Sequence, residues 1–305
     1  MRTPLLATFV LGSYLSADVS ILTQTKTEPG DVMPQFAQMM MMSARPVAGA
    51  RLRINSGRSL LKYGSFDAIV EGTGITLVDR RSATFATGTM ADFRGAERAR
   101  KGEIPPEIEK MFSEGGKAEV LKSDRTDVVV GIKVAERLLN VSLRMTMPPM
   151  PFPSAVAMPK DLHMNLRIHL WSPIPSEVER VPALKELIAA SRSAMGLGGE
   201  QMMTNLEDLV PFGQDEIAKL VEELSAAGAY PLRTQLEVSM PEMMALMSQT
   251  GGSTIAAPSD PNTAFLKMTQ EVSELSTEPL NESLFQVPKD FKQLSFTELL
   301  RRSSK

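Results

Sequence analysis

Nine residues near the middle of the chain limit the fold more than any other feature. From 162 to 170, Leu162, Met164, Leu166, Ile168 and Leu170 alternate with His163, Asn165, Arg167 and His169. Successive side chains of a strand point to opposite sides of a sheet, so this period of two gives one apolar and one polar face. The same device recurs from 138 to 147, where Leu139, Val141, Leu143, Met145 and Met147 oppose Asn140, Ser142, Arg144 and Thr146. It recurs again from 233 to 240, with Thr234, Leu236, Val238 and Met240 against Arg233, Gln235, Glu237 and Ser239. A fourth instance, 18 to 26, places Val19 and Ile21 opposite Ser20, Gln24 and Lys26, with Leu22 out of step. Strands with one buried and one wet face belong to antiparallel sheets.

Shorter strands are expected at 50–54, 67–71, 74–79, 82–87, 117–123, 126–136, 264–275 and 284–287. Gly57, Gly64, Gly72-Thr73-Gly74 and Asp79-Arg80-Arg81 punctuate the first of these at the spacing of a hairpin meander. Helical periodicity is confined to three blocks. Pro105-Pro106-Glu107 opens one that Gly115-Gly116 closes, which predicts a helix over 105–114. Residues 176–195 carry Val178, Val181, Leu184, Leu187 and Ile188 on one stripe, with a break at Pro182 and the helix proper over 183–195. Residues 214–227 repeat the stripe through Ile217, Leu220, Val221 and Leu224. The expected class is α+β, mainly β: a curved antiparallel sheet with a few covering helices. The expected organisation is a signal peptide at 1–17, one curved-sheet domain at 18–294 with a helical insertion at about 176–228, and a tail at 295–305. The proline-rich stretch 148–160 and the stretch 250–262 read as long loops within that domain.

The signal-peptide expectation rests on Arg2, the apolar stretch Pro4 to Leu15 and the small pair Ser16-Ala17. That stretch is shorter than the roughly 18 residues needed to span a bilayer, so no transmembrane span is expected and the chain reads as exported, periplasmic or secreted. Net charge is -3, becoming -4 if Arg2 is removed with the leader, and it provides no basic excess for nucleic acid. There is no cysteine, which removes disulfides, thiolate metal sites and cysteine nucleophiles. Only His163 and His169 offer imidazole chemistry, and six strand residues hold them roughly 20 Å apart. They are expected to be solvated strand side chains, neither sharing a metal nor acting as a pair. No G-x-S-x-G elbow occurs, and Gly196-Leu197-Gly198-Gly199 follows a helix rather than a strand, the wrong context for a phosphate cradle. The acids of the helical blocks, among them Glu177, Glu179, Glu186, Asp215, Glu216, Glu222 and Glu223, sit off the apolar stripes and read as a solvated face. No cofactor and no enzyme activity are expected.

Methionine is abundant at 21 residues, with Met39-Met40-Met41-Met42 in a run and Met240, Met243, Met244 and Met247 at helical spacing. Thioethers suit Cu(I), yet the same spacing marks any core-facing stripe, and flexible methionines also suit an apolar pocket of variable shape.

The segment Asp127-Val128-Val129-Val130-Gly131-Ile132-Lys133-Val134-Ala135-Glu136-Arg137 resembles the glycine-containing hairpin of bacterial exported proteins of the DUF4412 type. The run from Glu274 to Phe291, with Phe285-Gln286-Val287-Pro288-Lys289-Asp290-Phe291, is similar to their ending, and Gly228-Ala229-Tyr230-Pro231-Leu232-Arg233 is similar to a phrase that leads into one of their strands. The resemblance covers most of the chain after residue 18. It implies the lipoprotein-carrier fold, a half-open barrel whose concave apolar face is covered by helices, and it supplies no catalytic residue.

The sequence thus leads to a non-enzymatic binding protein of the cell envelope, with an apolar groove for a lipid, a lipoprotein or a hydrophobic peptide. The expected lining is Leu143, Met145, Leu166, Ile168, Leu236 and Val238, although the same side chains would fill a closed core equally well. Two other readings stay open: an assembly component that docks a protein partner through a sheet edge or the methionine loops, and a Cu(I) carrier.

Overall fold

In the computed structural model the described residues are 18–29, 49–101, 116–146, 161–194, 230–242, 245 and 263–303. Their strands are β1 (Val19–Pro29), β2 (Ala50–Asn55), β3 (Arg58–Tyr63), β4 (Phe66–Glu71), β5 (Gly74–Asp79), β6 (Thr84–Thr89), β7 (Gly116–Val129), β8 (Ile132–Thr146), β9 (Asp161–Pro173), β10 (Arg233–Ser239), β11 (Leu266–Ser276) and β12 (Lys292–Gln293). All twelve join one curved sheet in the order β12-β6-β5-β4-β3-β2-β1-β11-β10-β9-β8-β7. Neighbours are antiparallel except β12, which runs parallel to β6. The sheet does not close into a barrel, and the α+β class dominated by a curved antiparallel sheet is the architecture found.

The first strand lies in the middle of the sheet. Val19 pairs with Ile54 of β2, and Ser20 with both Arg53 of β2 and Ser276 of β11, so β1 joins two half-sheets. In the half formed by β2–β6, both faces are apolar. One carries Leu61, Ala68, Val70, Ile75, Leu77 and Ala86, covered by Phe93 and Ala96 of α1 (Met90–Lys101) and by Phe296, Leu299 and Leu300 of α4 (Phe296–Ser303). The Phe93 ring meets Tyr63 and Phe296 edge-on at centroid distances of 5.2 and 5.8 Å, an arrangement that aromatic quadrupoles favour. The other face carries Leu60, Ile69 and Val78, covered by Phe285. Both helices start with reciprocal caps: Asp92 N donates to Thr89 Oγ1 while Thr89 N donates to Asp92 Oδ2, and Ser295 and Glu298 repeat the exchange.

The structure corrects several expectations. Residues 295–305 were expected to be a tail, but 296–303 form α4, because Phe296, Leu299 and Leu300 share one stripe and bury it on the sheet. Residues 284–287 are not a strand. A 3-10 turn, Glu282–Phe285, forms where Asn281 Oδ1 accepts from Ser283 N at 3.0 Å, and it points Phe285 inward. The expected strand 126–136 is split by a two-residue turn at Val130-Gly131, both with positive φ (46° and 75°), so Val129 faces Ile132. Strand β3 and helix α1 were not anticipated. In the remaining helical block, α2 (Pro175–Arg180) and α3 (Pro182–Ala194) meet at Val181, beside the expected break. The helices expected at 105–114 and 214–227 lie outside the described residues.

Helix α3 packs Ala183, Leu184, Leu187 and Ala190 with Val19, Ile21 and Ile54 in a cluster that also holds Val129, Ile132, Val134, Trp171, Leu232 and Val272. Each large aliphatic side chain buried this way contributes about 1.5–3 kcal/mol. In the half formed by β7–β11, burial follows the alternation: Leu162, Met164, Leu166 and Ile168 are buried and His163, Asn165 and Arg167 are not.

Candidate functional site

The residues expected to line an apolar groove are brought together. Leu143, Leu166, Ile168, Leu236 and Val238 fall in one cluster across β8, β9 and β10, each between 1% and 6% exposed. The side chain of Met145 lies outside the described residues, while its backbone pairs with Leu162 within the same strands. Leu139, Val141, Leu162, Met164 and Leu170 complete the cluster, with Met240, Phe265, Leu266 and Met268 packed against it. Every one of these described members sits on a strand or next to a strand end. No described helix contributes to it.

The opposite face of the same strands is built from charge and amide. Register sets its side chains in rows across the sheet. Lys117, Ser142, Asn165 and Ser239 form one row, and Glu119, Asn140, Arg167, Glu237 and Lys267 form the next. Beyond a row containing His169 and Gln235 comes Glu136, Trp171, Arg233 and Glu271. The first two rows shape a groove of about 280 Å³ lined by Lys117, Glu119, Asn140, Ser142, Asn165, Arg167, Glu237 and Ser239, with Val141 and Leu166.

Beyond this groove, toward the β7–β8 turn, the pairing of β7 with β8 becomes irregular. Between Lys122 and Thr126 the register of β7 against β8 shifts, so residues 123–125 lie opposite Glu136 alone. Such a bulge bends its strand and re-aims side chains. Two of the displaced residues converge on one carboxylate: Ser123 Oγ donates to Glu136 Oε2, and Arg125 Nη1 donates to Glu136 Oε1 at 3.2 Å. His169 Nδ1 approaches the same Oε1 at 2.6 Å. An ionised carboxylate only accepts, so Nδ1 carries the proton. Burial pushes the Glu136 carboxyl up, but the Ser123 hydroxyl, the His169 ring and the Arg125 guanidinium outweigh it, and the group sits below the usual glutamate value.

The expectation of solvated histidines is therefore corrected for His169, which is 9% exposed because the partner strands bring Glu136 against its ring. His163 is half-buried and paired with Glu242, whose Oε1 lies 2.6 Å from Nδ1 and whose Oε2 accepts from His163 N at 2.9 Å. The guanidinium carbons of Arg125 and Arg233 lie 5.2 and 5.8 Å from the centroid of the Trp171 ring. Arg233 also bonds Asp127 Oδ2 at 2.6 Å and Glu271, which ties the β7–β8 hairpin across to β10 and β11.

Ser123, Arg125, Glu136, Trp171, Arg233 and Glu237 were not singled out from the sequence. The polar half of the alternation at 162–170 and 233–240 contained the signal for His169 and Glu237, but their meeting depends on register. The methionines 39–42, 243, 244 and 247 lie outside the described residues or have side chains that do. Among the described residues no group of three metal-ligating side chains is found, and no helix is long and apolar enough to cross a membrane. No protein-family model matches the chain, and no curated protein matches it.

Proposed function

We propose that this is an exported, non-enzymatic binding protein of the cell envelope, related to the lipoprotein-carrier proteins, that holds an apolar chain against β8–β10. The ligand class is an acyl chain, a lipoprotein or a hydrophobic peptide, and the contacting side chains are Leu143, Met145, Leu166, Ile168, Leu236 and Val238. One observation carries this reading. One apolar face of β3–β6 is packed by side chains of α1 and α4, and the apolar residues of β1 and β2 by α3, whereas the described members of the β8–β10 cluster are strand residues and their flanks. An apolar site oriented by a few polar groups is the usual basis for lipid binding.

The test is extraction of the purified protein with organic solvent followed by mass spectrometry, alongside titration of the delipidated protein with a fluorescent fatty acid. Co-purifying lipid and saturable fluorescence, both reduced in Leu166→Asn, support the reading. Absence of lipid together with no saturable binding sinks it. Docking of a protein partner is the second reading, favoured by the exposed Val120 and Val128 on edge strand β7. A partner that protects the β7 amides from hydrogen exchange would establish it.

A further inference from the structure

The groove opens on the polar face and borders the apolar cluster only at Val141 and Leu166, so a ligand held by its polar side chains does not depend on lipid binding. Glu237 forms one of its walls. Its Oε1 accepts from Gln235 Nε2 at 3.1 Å, whereas its Oε2 lies 3.9 Å from both Arg167 Nη1 and His169 Nε2, beyond hydrogen-bond length. Two polar atoms at that separation accommodate a single oxygen at about 2.8 Å from each. That oxygen would have to donate to the carboxylate and accept from the guanidinium. A hydroxyl does both; an ammonium cannot accept and a carboxylate cannot donate. Behind Glu237, the buried His169 is fixed through Nδ1 by Glu136, and its Nε2 has no hydrogen-bond partner among the described residues. The wall thus contains a buried polar side chain that faces Glu237 without bonding it.

The rest of the lining agrees. Lys117 and Arg167 balance Glu119 and Glu237, so the lining itself carries no net charge to select an ion. Between them lie Asn140, Ser142, Asn165 and Ser239, each able to donate and accept. Ser142 Oγ donates to Asn165 Oδ1 at 2.8 Å, which leaves the Asn165 amide nitrogen as a donor, and Asn140 makes no side-chain hydrogen bond to another described residue. These groups repeat across strands about 4.8 Å apart, a spacing close to that of equatorial hydroxyls on alternate carbons of a pyranose ring. We propose that the groove is a saccharide-binding site, in which Glu237 and Arg167 grip one ring hydroxyl and the asparagine and serine side chains read its neighbours. No aromatic ring is present among the described lining residues to stack on the sugar. Hydrogen bonds exchanged against water give modest net energy, so the affinity belongs to the millimolar range.

Saturation-transfer NMR on the full chain tests this, using maltose, cellobiose and diacetylchitobiose at about 10 mM, with glycylglycine as a zwitterionic control. The expected result is transfer to at least one disaccharide and not to glycylglycine. Glu237→Gln should weaken that binding about tenfold by removing a charge-assisted hydrogen bond, and Asn140→Ala should weaken it severalfold with the unfolding midpoint unchanged. Asn140→Ala leaves the charged wall intact, so it decides the matter if Glu237→Gln does not fold. Transfer to none of the three sugars, transfer to glycylglycine alone, or sugar binding indifferent to Asn140→Ala would each overturn the assignment.

Discussion

The two half-sheets use the same strand geometry to opposite ends. In β2–β6 side chains are buried on both faces, and Phe66 to Val70 of β4 are buried without interruption. In β7–β11 one face gathers an apolar cluster while the other carries rows of charge, amide and hydroxyl. Phe93 of α1 and Phe296, Leu299 and Leu300 of α4 already occupy one face of the first half. Under the proposed function the first half is the scaffold and the second carries recognition.

This division is most open to attack through the core of the first half. Phe93→Ala removes the ring between Tyr63 and Phe296 and should cost about 3–5 kcal/mol in urea unfolding, with no change in fatty-acid or sugar binding by the folded fraction. Altered binding at equal foldedness would break the division.

A somewhat smaller effect is expected from the second half. Glu136→Ala strips the partner from Ser123, Arg125 and His169 together and should cost about 3 kcal/mol, since removal of one member of a buried charged network leaves the others uncompensated. The corresponding pH dependence has a definite sign. Because the folded-state carboxyl lies below the usual value of 4.5, its contribution is complete above that pH and is lost as pH falls through the lower folded value. Trp171 is the sole tryptophan and sits between Arg125 and Arg233, so its emission reports on this cluster. The part of its pH response that depends on Glu136, read as the difference from Glu136→Gln, should appear only below about 4.5. A transition in that difference centred above that value would mean that Glu136 is not held ionised as described.

The smallest expected effect is a gain. Val130 is a β-branched residue at φ 46°, beside Gly131 at φ 75°, in a two-residue hairpin turn that favours asparagine followed by glycine. Val130→Asn should stabilise the chain by about 1 kcal/mol, read as a raised urea midpoint at unchanged slope.

The same division explains what could be read from the chain. Strands β8, β9 and β10 are legible because one wet face leaves an alternating imprint. Strand β3 is not: Ser59, Leu60 and Leu61 are consecutive and all buried, so the period disappears. The turn at Val130 is hidden because three successive valines read as uninterrupted strand, with Gly131 the only punctuation. Helix α1 has a weak signal because Phe93 and Ala96 carry most of its apolar contact. The shared apolar face of Leu143, Leu166, Ile168, Leu236 and Val238 was legible because the alternation within each strand marks it. Glu136 and His169 were not, since their contact follows from pairing of β8 with β9, and Ser123 and Arg125 join them only through the bulge.

The central position of β1 has a consequence for assembly. Its partner β2 follows soon after it, but β11 lies far further along the chain, and only β11 connects β1 to β10 and the rest of the second half. Long-range pairings of this kind are slow to form. A nascent chain can therefore complete its meander early and yet remain two unjoined pieces until β11 has been made.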